Sequence, residues 1–124
     1  MAKNKILIVD DDPQITKALS DYLSREDYVI EIAINGEDGL KKVKAFRPDL
    51  ILLDIIMPKM DGITMLKMVR EDPEVSSIPA IILTNLQTEE GVARSIEAGS
   101  TTYLVKVDYG LEELSGVIKK TLNI

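Results

Sequence analysis

Five short, almost wholly apolar runs alternate along this chain with longer stretches whose apolar residues recur at helical spacing. The runs are Lys5–Asp10, Val29–Ile34, Leu50–Asp54, Ala80–Thr84 and Tyr103–Lys106. After the first run, Ile15, Ala18, Leu19, Tyr22 and Leu23 follow the i, i+3, i+4, i+7, i+8 pattern of a buried helical stripe. A second helix is expected over Glu37–Phe46, with Leu40 and Val43 inward, and a third over Ile63–Arg70, with Ile63, Leu66 and Val69. A fourth spans Glu89–Ala98, with Val92 and Ile96 inward; the last spans Leu111–Leu122, with Leu111, Leu114, Ile118 and Leu122. Strands that are apolar without alternation must be covered on both faces, which helices do when they cross over between parallel neighbours. The expectation is an α/β fold: a doubly wound, five-stranded parallel sheet with five helices and right-handed crossovers.

Local punctuation fits these limits. Asp12-Pro13 reads as an N-cap followed by proline at the first helical position. Asn35-Gly36 and Thr88-Glu89 can open the second and fourth helices, and Gly99 follows the fourth, where a left-handed residue commonly ends a helix. In the last helix Glu112 and Glu113 come early and Lys119 and Lys120 late, as the helix dipole favours.

In open parallel sheets, ligands gather at the carboxyl ends of the strands near a switch in strand order. Asp10, Asp11, Asp54, Thr84 and Lys106 all fall at such ends, from four different strands. Singly each is bland: Asp54 fits a loop aspartate, Lys106 a surface lysine, Thr84 a strand end, Tyr103 strand packing, and Asp12 a helix cap. Together they suit Mg²⁺, which takes hard oxygen ligands and shares its shell with phosphate. Asp10, Asp11 and Asp54 carry −3, which Lys106 and one Mg²⁺ would balance. A carboxylate there can act as nucleophile and form an acyl phosphate, with lysine and a hydroxyl steadying the transferred group.

The composition narrows the alternatives. With 124 residues, 45% of them hydrophobic, one domain with a real core is expected over residues 1–124. The chain has no cysteine and no histidine, so disulfides, thiolate sites and histidine-dependent triads are excluded. A formal charge of −6 without a basic cluster argues against direct nucleic-acid binding. No apolar run approaches membrane-spanning length, and Met1-Ala2-Lys3-Asn4-Lys5 leaves no room for a signal peptide before the first strand. A cytoplasmic protein is expected.

The motifs, taken in order, resemble the receiver domain of two-component response regulators over essentially the whole chain. They are Val9-Asp10-Asp11, then Asp54 closing Pro48-Asp49-Leu50-Ile51-Leu52-Leu53-Asp54, Met57-Pro58, Asp61-Gly62, Thr84, and Tyr103-Leu104-Val105-Lys106. The resemblance implies a flavodoxin-like (βα)5 fold with strand order 2-1-3-4-5. It implies Asp54 as phosphoacceptor, Mg²⁺ held by Asp10, Asp11, Asp54 and the Ile56 backbone carbonyl, and Lys106 and Thr84 on the phosphoryl group. Tyr103 would be an aromatic switch that moves inward with Thr84, changing the face built from the fourth helix, fifth strand and fifth helix. A histidine kinase or phosphotransfer protein would be the donor. The output would be a downstream protein target or an output domain outside this sequence, and a phosphorylation-dependent homodimer through the same face is a further expectation.

Some positions depart from the pattern. Val107 follows Lys106 where proline is usual, so a trans bond is expected there, with Asp108 capping the last helix. Asn85 stands after Thr84 where a small residue is usual. Ile56 and Leu86, two positions after Asp54 and Thr84, are apolar where a water-orienting polar residue often sits, which predicts slow loss of phosphate. Three competing readings are weaker. An aspartate-dependent phosphohydrolase would need an acid at Ile56. A flavin module would need a phosphate-binding loop where Asp10-Asp11-Asp12 repel phosphate. A degenerate receiver that binds partners without phosphorylation must ignore the intact acidic and cationic residues. Among Met57, Met60, Met65 and Met68, core filling is expected for some and an adaptable surface for others.

Overall fold

A computed structural model describes residues 3–85, 88–106 and 110–124. Strand and helix alternate through β1 (Lys5–Val9), α1 (Pro13–Arg25), β2 (Val29–Ala33), α2 (Gly36–Phe46), β3 (Leu50–Leu53), α3 (Gly62–Glu71), β4 (Ala80–Thr84), α4 (Glu89–Glu97), β5 (Thr102–Val105) and α5 (Leu111–Leu122). All four strand pairings are parallel and the order is β2-β1-β3-β4-β5, the expected doubly wound sheet. The chain therefore reverses its direction of winding at β1, which pairs with β2 on one side and β3 on the other.

Successive residues of the central strands point to opposite faces, and both faces are dry. Leu7, Val9, Ile51, Leu53 and Ile82 pack with Val43, Met65, Leu66 and Val69 beneath α2 and α3. Ile6, Ile8, Leu50, Leu52 and Ile81 pack with Leu19, Leu23, Leu114 and Ile118 beneath α1 and α5. Each such side chain contributes about 1.5–3 kcal/mol by leaving water. Of the methionines, Met65 and Met57 are buried in the core, Met60 packs at its margin, and Met68 is largely exposed.

Four helices begin on side-chain caps. Asp12, Asn35, Asp61 and Thr88 accept from the amides of Gln14, Asp38, Thr64 and Gly91 respectively. Each cap contributes about 1 kcal/mol. Gly99 takes φ +99° after α4, and Ser100 N donates to Ser95 O across that left-handed turn. The first residue of α3 needs a glycine for another reason: a Cβ on Gly62 would stand 2.0 Å from the Asp54 carbonyl oxygen. Gly62 N also donates to Ile55 O at 2.8 Å, clamping the helix start onto the end of β3.

Several expected details are corrected. β1, β2, β3 and β5 stop at Val9, Ala33, Leu53 and Val105, one residue short of Asp10, Ile34, Asp54 and Lys106. The helical stripes also shift. In α1 the buried residues are Thr16, Leu19 and Leu23; Ile15 and Tyr22 are half-buried and Ala18 is exposed. The Thr16 hydroxyl can be buried because it donates to Pro13 O. In α4 the buried positions are Gly91 and Ser95, followed by the buried C-cap Ala98, while Val92 is half-buried and Ile96 is 63% exposed. The inward positions carry small residues, and Ser95 Oγ is satisfied by Val92 O at 2.9 Å. In α5, Ser115 rather than Leu111 faces inward, donating to Glu26 Oε1 at 2.6 Å. The α5 cap is Gly110, whose N–H is accepted by Glu113 Oε2; Asp108, Val107 and Leu86 lie outside the described residues.

Arg70, at the end of α3, ties three elements together without a carboxylate. Its guanidinium donates to Gly99 O (3.0 Å), Ser76 O (3.0 Å) and Ile78 O (2.7 Å). Partial burial pulls its pKa below the usual arginine value.

Gly62→Ala is expected to destabilise the fold by about 1–3 kcal/mol, because the rigid Asp54 backbone cannot yield to the added methyl. Gly116→Ala, an α5 position with nothing within 4 Å of the new Cβ, should stabilise it by about 0.5–1 kcal/mol. Urea unfolding midpoints of the two variants against the parent check both signs.

Candidate functional site

The β1–β3 register sets Val9 opposite Leu53. The residues that follow, Asp10 and Asp54, therefore emerge side by side at the carboxyl edge, next to the point where the winding reverses. The ladder persists just past the strands, with Asp10 N donating to Ala33 O and Asp54 N to Val9 O, so both backbones are fixed. Likewise Thr84 pairs with Val105, which delivers Lys106 to the same edge from β5.

Each carboxylate is held by one oxygen to the backbone and by the other to a shared cation. Asp10 Oδ1 accepts from Asp12 N (3.0 Å) and Oδ2 from Lys106 Nζ (2.6 Å). Asp54 Oδ1 accepts from Ile55 N (2.8 Å) and Oδ2 from Lys106 Nζ (3.1 Å). Asp10 is only 4% exposed, and burial raises its pKa even though Lys106 and the Asp12 amide oppose the shift. For Lys106, burial alone would lower the pKa. The bonds and charges of Asp10 and Asp54 together outweigh that, so its pKa is raised. The electrostatics are those of a site short of positive charge.

Asp11 is exposed beside them, and carboxylate oxygens of Asp10, Asp11 and Asp54 lie within 4.8 Å of one another. Three hard oxygen donors at this spacing fit a small divalent cation. Asp12, by contrast, is turned into its capping role.

Two cavities flank this carboxylate cluster. One, of about 260 Å³, is lined by Asp54, Ile56, Thr84, Asn85 and Lys106. The other, of about 470 Å³, is lined by Asp10, Asp11, Thr16, Ile34, Asn35, Pro58 and Lys59, with Pro13. Thr84 is buried and faces the first cavity, while Ile56 is 65% exposed on its rim. Tyr103 is half-buried against the α2–α3 side of the core; its phenol pKa is raised by burial and then by the negative charge of Asp54. Lys59 and Ile34 line the second cavity without having been among the expected site residues. No motif marks them; only the packing of the β3–α3 loop on the start of α2 brings them there.

The response regulator receiver domain family matches residues 6–119. The chain is 37% identical over 124 residues to the chemotaxis protein CheY of Treponema pallidum, covering 95% of this chain and 85% of that protein. Among solved structures, a CheY-like receiver domain protein of Methanospirillum hungatei superposes with a TM-score of 0.91 at 30% identity, over 98% of this chain and 95% of that one. Chemotaxis protein CheY4 of Vibrio cholerae gives 0.90 at 31%, over 97% and 99%. Other relatives are much longer: the chain spans 15% of a gliding motility regulatory protein of Myxococcus xanthus and 42% of the transcriptional regulatory protein ResD of Bacillus subtilis. No helix among the described residues is long and apolar enough to cross a membrane.

Linkage fixes the signs of two pH effects. The native pKa of Asp10 lies above its unfolded value, so its ionisation works against the fold, and that cost grows as pH rises through the native value. Asp10→Asn should raise the melting temperature of the metal-free protein at neutral pH, with the gain shrinking as pH falls toward 4. The native pKa of Lys106 is also raised, so its contribution is complete below its ordinary value and is lost as pH climbs through the native one. Melting curves from neutral to strongly alkaline pH should fall more steeply for the parent than for Lys106→Met.

Proposed function

The chain belongs to the response regulator receiver domain family, and from that premise we propose that it is a phosphoacceptor switch whose Asp54 takes a phosphoryl group from a phosphohistidine donor. The observation that carries this reading is the single ammonium of Lys106, held between the carboxylates of Asp10 and Asp54. Of the two, Asp54 also lines the cavity that contains Thr84. There an incoming group would meet both Lys106 and the Thr84 hydroxyl, whereas Asp10, the more buried of the two carboxylates, lines the other cavity.

In the proposed reaction an Asp54 carboxylate oxygen attacks phosphorus in line with the donor imidazole. A P–O bond forms as the P–N bond breaks, and the leaving nitrogen keeps the electron pair. Lys106 is already 3.1 Å from Asp54, so it needs only a short shift to bond a phosphoryl oxygen. The Thr84 hydroxyl would take a second oxygen. Asp10, Asp11, Asp54 and the Ile56 carbonyl are the groups that would hold Mg²⁺, which when bound neutralises charge shared by carboxylate and phosphoryl oxygens. Movement of Thr84 toward the phosphoryl group would open space for Tyr103 and alter the α4–β5–α5 face. That face would engage a downstream protein, an output domain or a second copy of the chain. Under this reading the chemistry acts on its own Asp54, not on an external product.

The exposed Ile56 side chain lines the same cavity, where an apolar group cannot orient water for attack on the acyl phosphate. Slow hydrolysis follows.

Intact-mass measurement after incubation with acetyl phosphate and Mg²⁺ should show one added phosphoryl group that requires the cation and is absent from Asp54→Asn. No adduct, together with no fluoroberyllate complex, would sink the reading and favour a phosphorylation-independent binding module. Once formed, the adduct should decay several-fold faster in Ile56→Asn, Leu86→Glu than in the parent; equal decay rates would refute the role given to the apolar rim.

A further inference from the structure

Lys59 stands in a backbone conformation that lysine rarely adopts, with φ +67°. Met60 N donates to Pro58 O at 2.8 Å, closing a three-residue turn around it. The turn is pinned from the other side, because Met60 O accepts from Gly36 N at the start of α2. A side chain on Gly36 would collide with that same oxygen, at 2.4 Å, so α2 holds the turn at close quarters. Left-handed backbone at a non-glycine residue persists only where its surroundings impose it, and such residues cluster at functional sites.

This strained turn puts Lys59 on the wall of the cavity that contains Asp10 and Asp11. Lys106 lines the other cavity and is committed to Asp10 and Asp54. Among the described residues Lys59 has no ion pair, although a carboxylate doublet shares its cavity. Its charge is therefore an exposed one on the wall of a cavity whose acidic residues Lys106 neutralises only in part.

We infer that Lys59 is a second cation of the acidic pocket, which weakens the uptake of a divalent cation by Asp10 and Asp11 and makes that uptake depend on ionic strength. The inference rests on the metal-binding reading above and deepens it. A dication approaching the doublet meets a field already reduced by one positive charge on the wall of the same cavity. In a water-like dielectric, removing that charge should tighten binding by about three- to tenfold at low ionic strength. Salt should erase most of the difference, because the lysine is exposed and its influence passes through solvent.

The test is the Mg²⁺ dissociation constant of the whole chain, measured by titration calorimetry at low salt (about 10 mM) and high salt (about 500 mM), bracketing the screening range. Lys59→Met removes the charge, Lys59→Gly removes it while suiting the left-handed turn, and Lys59→Arg keeps it. The expected result is tighter binding by both charge-free variants at low salt, convergence with the parent at high salt, and parental behaviour of Lys59→Arg. Parent-like affinity in Lys59→Met and Lys59→Gly, or a difference that salt does not touch, overturns the role of Lys59 while leaving the metal site standing. Failure of the parent itself to bind Mg²⁺ overturns the metal-binding reading, and this inference with it.

Discussion

Parallel pairing of β1 with β3 is the constraint from which the site follows. With Val9 opposite Leu53, the next residues are forced into adjacency, and both are aspartates. Two carboxylates in that position repel, and burial adds to the penalty. Lys106, arriving from β5 two strands away, is what makes the arrangement tolerable. The order β2-β1-β3-β4-β5 thus has an electrostatic meaning: it brings the carboxylates that follow β1 and β3 and the ammonium that follows β5 to one edge.

The cost of this arrangement is confined to a thin layer. Below it, the central strands are buried by hydrophobic side chains on both faces. The raised pKa of Asp10 marks where the layer works against the fold. The cation binding proposed above would need a cluster incompletely neutralised beforehand, and some instability at this edge goes with that role.

How much of this was legible beforehand depended on which physical signal carried the information. Period and punctuation located every strand and helix, because burial on two faces leaves an unmistakable apolar run and because Asp12, Asn35 and Thr88 are capping residues by chemistry. The convergence of Asp10, Asp11, Asp54, Thr84 and Lys106 was legible from their places at strand ends plus the general rule for open sheets. Helix facing was less so. Ile96 and Leu111 are apolar by type yet exposed, while Ser95 and Ser115 are polar yet buried, their hydroxyls satisfied by Val92 O and by the distant Glu26 carboxylate. Periodicity weighs hydrophobicity and cannot see a hydrogen bond. The backbone of Lys59 and the contact of Gly62 on the Asp54 carbonyl depend on loop packing, which leaves no periodic trace.

Arg70 gives α4 an asymmetric anchorage. One end of the helix is tied through Gly99 O to a guanidinium that also grips Ser76 and Ile78, whereas the other starts at Thr88, four residues after Thr84. A rod fastened at one tip and pushed near the other turns about the fastening instead of sliding. At 1.5 Å of rise per residue, the lever arm from Gly99 back to Thr88 is on the order of 15 Å. Displacements at the sheet edge would thus be largest near Thr88 and shrink along the exposed flank toward Ile96, close to the fulcrum at Arg70.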